Sequence, residues 1–186
     1  ARRKQGIFSM LRPLAAVLFA VIAAVTAAIS PPAIAQEPLF GVIAEVEFGI
    51  GYDAFDDDDF DEDVAFGIDL RSVPVLDFTY LQVGIGLGTE FDSDGDFFFG
   101  GGPYAAVPFG STGLRLIGSF FPGAYAAGNS GDDLGSTLMF RSRIGLDYAI
   151  TERISIGAAF EHKSNAGIED ENPGVNTAFA TVALRF

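Results

Sequence analysis

Apolar and polar positions alternate with a period of two along most of the chain. Eight such runs can be traced, at 39–54, 64–72, 76–90, 97–109, 113–127, 137–148, 154–165 and 175–186. Alternation at this period predicts strands with one apolar face. In the first run Val42, Ala44, Val46, Phe48 and Ile50 share one parity, and Glu45, Glu47, Gly49 and Gly51 take the other. In the sixth, Leu138, Phe140, Ile144 and Leu146 oppose Arg141, Arg143 and Asp147; in the last, Val182, Leu184 and Phe186 oppose Thr181, Ala183 and Arg185.

The links between runs alternate in character as well. Four are polar and acidic: DDDDFDED (Asp56 to Asp63), FDSDGD (Phe91 to Asp96), GNSGDDLGS (Gly128 to Ser136) and AGIEDENPG (Ala166 to Gly174). Three are tight, around Val73-Pro74, Gly110-Ser111-Thr112 and Ala149-Ile150-Thr151. Long loops at one end and short turns at the other predict an all-β fold, an eight-stranded antiparallel transmembrane β-barrel. A soluble lipocalin-like barrel or sandwich would show the same alternation with the faces inverted. The large, uniformly apolar parity and the terminal Phe186 after Val182 and Leu184 favour the membrane. That ending resembles the signal read by the barrel assembly machinery.

An eight-stranded barrel is only wide enough for side chains to fill it. The inward parity offers Arg71, Arg115, Arg141, Arg143, Lys163 and Arg185 to Glu45, Glu47, Asp69, Asp147 and Glu161. Buried charges must be paired, so the expected interior is a filled, polar, salt-bridged lumen rather than a pore.

The first 35 residues read differently. Arg2, Arg3, Lys4 and Arg12 precede an apolar run from Leu14 to Ile29, and Ala33-Ile34-Ala35 forms a small-x-small cleavage site. This pattern predicts a signal peptide over 1–35 and an outer-membrane barrel over 36–186. The whole chain carries 25 acids against 11 Lys and Arg, and the segment 1–35 contains four of those cations and none of the acids. So acidic a surface argues against nucleic acid as a partner. The lack of cysteine suits an exported protein that dispenses with disulfides. No His or Cys cluster suggests a transition metal. The acidic loops do not fit a twelve-residue calcium loop. They read as solvated extracellular loops, with bridging by divalent cations left open.

The only histidine stands in the seventh run, FEHKSNAG. Ile154, Ile156, Ala158, Phe160, His162 and Ser164 share the lipid-facing parity there, although the other face offered a polar interior. Desolvating a polar pair without partners costs several kcal/mol. With both termini in the periplasm, the seventh strand runs outward, and Ser164 lies near the outer leaflet. Histidine as base and serine as nucleophile suffice for acyl transfer. A rim histidine followed by the start of a loop would look the same.

His162-Lys163-Ser164-Asn165-Ala166-Gly167, with Asn172-Pro173-Gly174 opening the last run, resembles the lipid A 3-O-deacylases, outer-membrane enzymes of the PagL type. The resemblance implies a cofactor-free ester hydrolase that removes the 3-hydroxyacyl chain at position 3 of lipid A, the membrane anchor of lipopolysaccharide. It implies Ser164 as nucleophile, His162 as base, and the Asn172 side-chain amide and Gly167 N–H as oxyanion donors. Asn165 reads as a turn residue. Where the family has its acid, this chain has Asn176. Three readings follow: Asn176 orients the imidazole, a loop acid (Glu169, Asp170 or Glu171) replaces it, or activity is reduced or lost. A non-catalytic structural or adhesive barrel is the rival from another class. The sequence leaves open whether the barrel forms a homodimer.

Overall fold

A computed structural model of the chain describes residues 37–53, 63–128, 134–170 and 172–186. The expected signal peptide, most of DDDDFDED, part of GNSGDDLGS and Glu171 lie outside the described residues. The strands are β1 (Ile43–Asp53), β2 (Asp63–Ser72), β3 (Leu76–Phe78), β4 (Leu81–Asp92), β5 (Phe97–Pro108), β6 (Leu114–Ala126), β7 (Leu138–Ala149), β8 (Ile154–Ser164) and β9 (Val175–Arg185). Every pairing is antiparallel, and β1–β9 together with β2–β4 closes the sheet on itself. The result is an eight-stranded barrel wall, with β3 as an extension of β2.

That extension corrects one expected turn. The chain does not reverse at Val73-Pro74. Both β2 and β3 pair the same edge of β4, Arg71 with Gly86 and Leu76 with Val83, and the reversal comes at Thr79-Tyr80. Pro74 has no N–H to give the ladder, so the strand is interrupted there without ending. Ser72 fills the gap: its Oγ accepts the Ile85 N–H at 3.1 Å and donates to Val73 O at 2.7 Å. Val75 N–H then rejoins the ladder on Val83 O. A run of alternating residues carries no mark of such a bulge, so the third run had concealed both the short strand and the turn.

Parity sorts the side chains as expected. Six carboxylates (Glu45, Glu47, Asp69, Glu90, Asp147, Glu161) and six cations (Arg71, Arg115, Arg141, Arg143, Lys163, Arg185) fill the lumen in paired layers. Near the end with the tight turns, Arg115 bridges Glu45 at 2.6 Å and Asp147 at 2.5 Å. Further along, Arg141 meets Asp69 at 2.6 Å. Gly88 makes room for this crossing, since a Cβ there would lie 2.4 Å from Arg141 Nη2. Toward the loop end, Lys163 of β8 pairs with Glu90 of β4 across the barrel.

Two interior features were not foreseen. Glu90 joins the ion pairs. Phe98, Phe121, Tyr125 and Met139 form a buried apolar layer, with the Arg141 guanidinium 4.9 Å from the Phe121 ring centre and 5.5 Å from that of Phe98. Runs of consecutive phenylalanines, such as Phe97-Phe98-Phe99, hide which member turns inward.

One acidic loop explains itself. Asp92 Oδ1 accepts the N–H groups of Asp94, Gly95 and Asp96 at 2.9–3.1 Å, and Asp96 takes the Gly128 N–H and the Tyr125 hydroxyl. These carboxylates satisfy backbone donors of tight turns, which is ordinary Asp chemistry.

Candidate active site

The site lies on the outer face where β7, β8 and β9 run side by side toward the loop end. Register places Ser142, His162 and Asn176 abreast on the three strands, and Phe140 beside Ser164 one step further toward the loops. His162 is exposed, while Ser164 and Asn176 are half-buried. Their neighbours along the same face are apolar: Ile144 and Leu146 on β7, Ala158 and Phe160 on β8, Ala178 and Ala180 on β9.

Among the described residues, the imidazole has one hydrogen-bond partner. His162 Nδ1 lies 2.9 Å from Asn176 Oδ1. With the carbonyl oxygen accepting, Nδ1 is the donor of this bond, and in the Nδ1-protonated neutral ring Nε2 keeps the lone pair a general base needs. Ser164, two residues on, presents its hydroxyl on the same face and makes no hydrogen bond among the described residues. Gly174 packs against both. A Cβ there would lie 3.1 Å from His162 Cε1 and 3.6 Å from Ser164 Cβ, and its φ of +70° suits glycine. A larger residue would push the ring off its position.

The loop between β8 and β9 curls on its two asparagines. Asn165 is fully buried, and its N–H donates to Asn172 Oδ1 at 2.8 Å. This bond fixes the Asn172 carbonyl and leaves the donor half of that exposed amide for other partners. Asn165 Oδ1 in turn accepts the Gly167 N–H at 2.9 Å. The expected turn role of Asn165 is therefore visible. The expected Gly167 donor is already engaged, so its use on an oxyanion requires Asn165 to yield it. Ala166, at φ +57°, precedes Gly167 at +73°, and such left-handed non-glycine residues concentrate at functional sites.

Glu169 and Asp170 are exposed and do not hydrogen-bond His162; Glu171 is outside the described residues. Among the described residues, the position beside Nδ1 belongs to Asn176. One residue of this cluster went unread in the sequence. Ser142 interrupts the apolar parity of β7 between Phe140 and Ile144, and that interruption was the available signal. Three or more His, Cys, Asp or Glu side chains suited to a metal do not come together among the described residues.

Comparison with known proteins agrees with this picture. The chain is 38% identical over 53 residues to the lipid A deacylase PagL of Bordetella bronchiseptica, a match spanning 28% of this chain and 30% of that protein's length. The fold resembles the crystal structure of the outer membrane enzyme PagL, with a TM-score of 0.62 at 18% identity over 77% of this chain and all of the other. It also resembles Neisserial surface protein A, with a TM-score of 0.51 at 12% identity over 78% of this chain and 97% of the other. At these identities the structural likeness shows the outer-membrane barrel fold and no more. The family described as lipid A 3-O-deacylase (PagL) matches residues 72–185, most of the barrel and all of the outer-face cluster, and the chain belongs to that family.

Proposed function

We propose that the protein is an outer-membrane esterase that hydrolyses the ester holding the 3-hydroxyacyl chain at position 3 of lipid A. The observation that carries this reading is the bond between His162 Nδ1 and Asn176 Oδ1 on the lipid-facing wall, two residues from a Ser164 that has no hydrogen-bond partner among the described residues. Three polar groups gathered in hydrocarbon have no structural task there, whereas a base, its orienter and a nucleophile have a chemical one.

In the proposed reaction Ser164 Oγ attacks the ester carbonyl and passes its proton to His162 Nε2. The carbonyl oxygen becomes an oxyanion, held by the Asn172 amide and by the Gly167 N–H once Asn165 releases it. Collapse expels the sugar hydroxyl, which takes the proton from His162, and leaves an acyl group on Ser164. Water activated by His162 then releases the 3-hydroxy acid. Asn176 keeps the ring in the productive tautomer. Being neutral, it cannot offset the imidazolium charge, so this step relies on orientation alone.

On this reading the loop end lies outside the cell and Ser164 works at the outer leaflet, where lipid A resides. Lipid A from cells expressing the protein should lose one 3-hydroxyacyl chain by mass spectrometry, and the loss should vanish with Ser164→Ala. An unchanged spectrum from a folded, inserted protein would favour the second reading, a non-catalytic barrel. The amide at position 176 is the observation on that side.

A further inference from the structure

The outward serine and threonine hydroxyls of the barrel strands fall into two kinds. Ser72 and Thr89 are satisfied by backbone: Ser72 on Val73 O and Ile85 N–H, Thr89 on Phe98 O at 3.1 Å. Ser164 and Ser142 bond nothing among the described residues. Ser164 has the proposed role of nucleophile. Ser142 has none, yet it is exposed on the wall and pairs across the ladder with His162. A hydroxyl turned to hydrocarbon without a partner is unfavourable, and nothing in the packing of β7 calls for one.

Its position suggests the partner. Same-face neighbours on a strand lie about 7 Å apart, and adjacent strands about 4.8 Å. Ser142 therefore sits one step nearer the bilayer centre than Ser164 and one strand aside. Just beyond it the wall has a shallow, open apolar trough lined by Leu116, Ile144, Leu146, Ala158, Phe160 and Ala178. An acyl chain with its carbonyl at Ser164 and its tail in that trough passes Ser142 within its first few carbons. In a 3-hydroxyacyl ester the only polar atom of the chain lies there, on the second carbon beyond the carbonyl.

We propose that Ser142 hydrogen-bonds the 3-hydroxyl of the scissile chain, so that the protein prefers 3-hydroxyacyl esters to plain acyl esters. The inference rests on the esterase reading above. It assigns Ser142 to substrate binding, with no part in proton transfer. The competing environment is lipid, so a plain chain leaves the Ser142 hydroxyl unsatisfied and a hydroxylated one satisfies it.

The test uses the purified full chain in mixed micelles and two glucosamine 3-O-esters of one chain length, differing only in the 3-hydroxyl. The wild type should show about a tenfold higher kcat/KM on the hydroxylated ester. Ser142→Ala should erase that preference by slowing the hydroxylated ester alone, and Ser142→Thr, which keeps a hydroxyl, should retain much of it. An active wild type without preference overturns the assignment, as does a Ser142→Ala variant that slows both esters equally. A folded wild type that cleaves neither ester, in a preparation whose lipid A is also intact, removes the esterase reading and this inference with it.

Discussion

The two faces of β8 carry polar side chains for opposite reasons. Inward, Glu161 is bracketed by Arg141 and Arg143, and Lys163 is held by Glu90. These groups are buried, and each lies beside groups of the opposite kind. Outward, His162 is exposed and Ser164 half-buried, and among the described residues only the imidazole of the two has a hydrogen-bond partner. Interior charges are explained once their counterions are found. On the proposed reading, the outer polar cluster serves a molecule that arrives from the membrane. Polarity inside this barrel thus reports on packing, and polarity outside it is assigned to chemistry by the proposed function.

The sharpest way to break this contrast is to remove one group from each face. On the outside, Ser164→Ala should lower deacylation by at least about 10³-fold and leave resistance of the barrel to heat and urea unchanged. An equal loss of stability would show that the serine is structural. On the inside, Lys163→Met strands the Glu90 carboxylate and should cost about 3–5 kcal/mol, read as a lower urea midpoint for unfolding in micelles. Adding Glu90→Gln should recover most of that loss, because it is the unpaired charge that is costly. A single variant as stable as wild type would show that the lumen tolerates unmatched charge.

Smaller effects sharpen the outer half of the comparison. Asn176→Glu should raise kcat by about tenfold by adding a counter-charge to the imidazolium. A fall would show that the amide is used as it stands. Glu169→Gln combined with Asp170→Asn should change activity by less than about twofold, since neither acid touches His162. A larger loss would return the orienting role to the loop.

Much of this was legible in the sequence because a strand has only two sides. Once parity was assigned, Arg141 and Lys163 had to face in, and His162 and Ser164 had to face out. The rest was hidden where parity is silent. Period two runs on through Pro74 without announcing a bulge, so the turn at Thr79-Tyr80 was missed. In Phe97-Phe98-Phe99 both parities are aromatic, so the interior layer around Phe98 could not be read. Glu90 closes the third run beside an acidic loop, and its pairing with Lys163 depends on which strands face each other across the barrel. The bond between Asn176 and His162 depends on β8–β9 register, which pattern alone does not fix. The capture of the Gly167 N–H by Asn165 depends on loop conformation, which alternation does not describe at all.

The Lys163–Glu90 pair has a consequence beyond stability. Lys163 stands between His162 and Ser164, so anchoring it across the barrel also locks its two neighbours in place on the opposite side of the strand. On the proposed reading, the interior acts as a jig for work done in a different solvent. Descendants of this sequence could then rewrite the exterior residues for new lipids one at a time, while the clamp beneath continued to hold whatever replaced them in alignment.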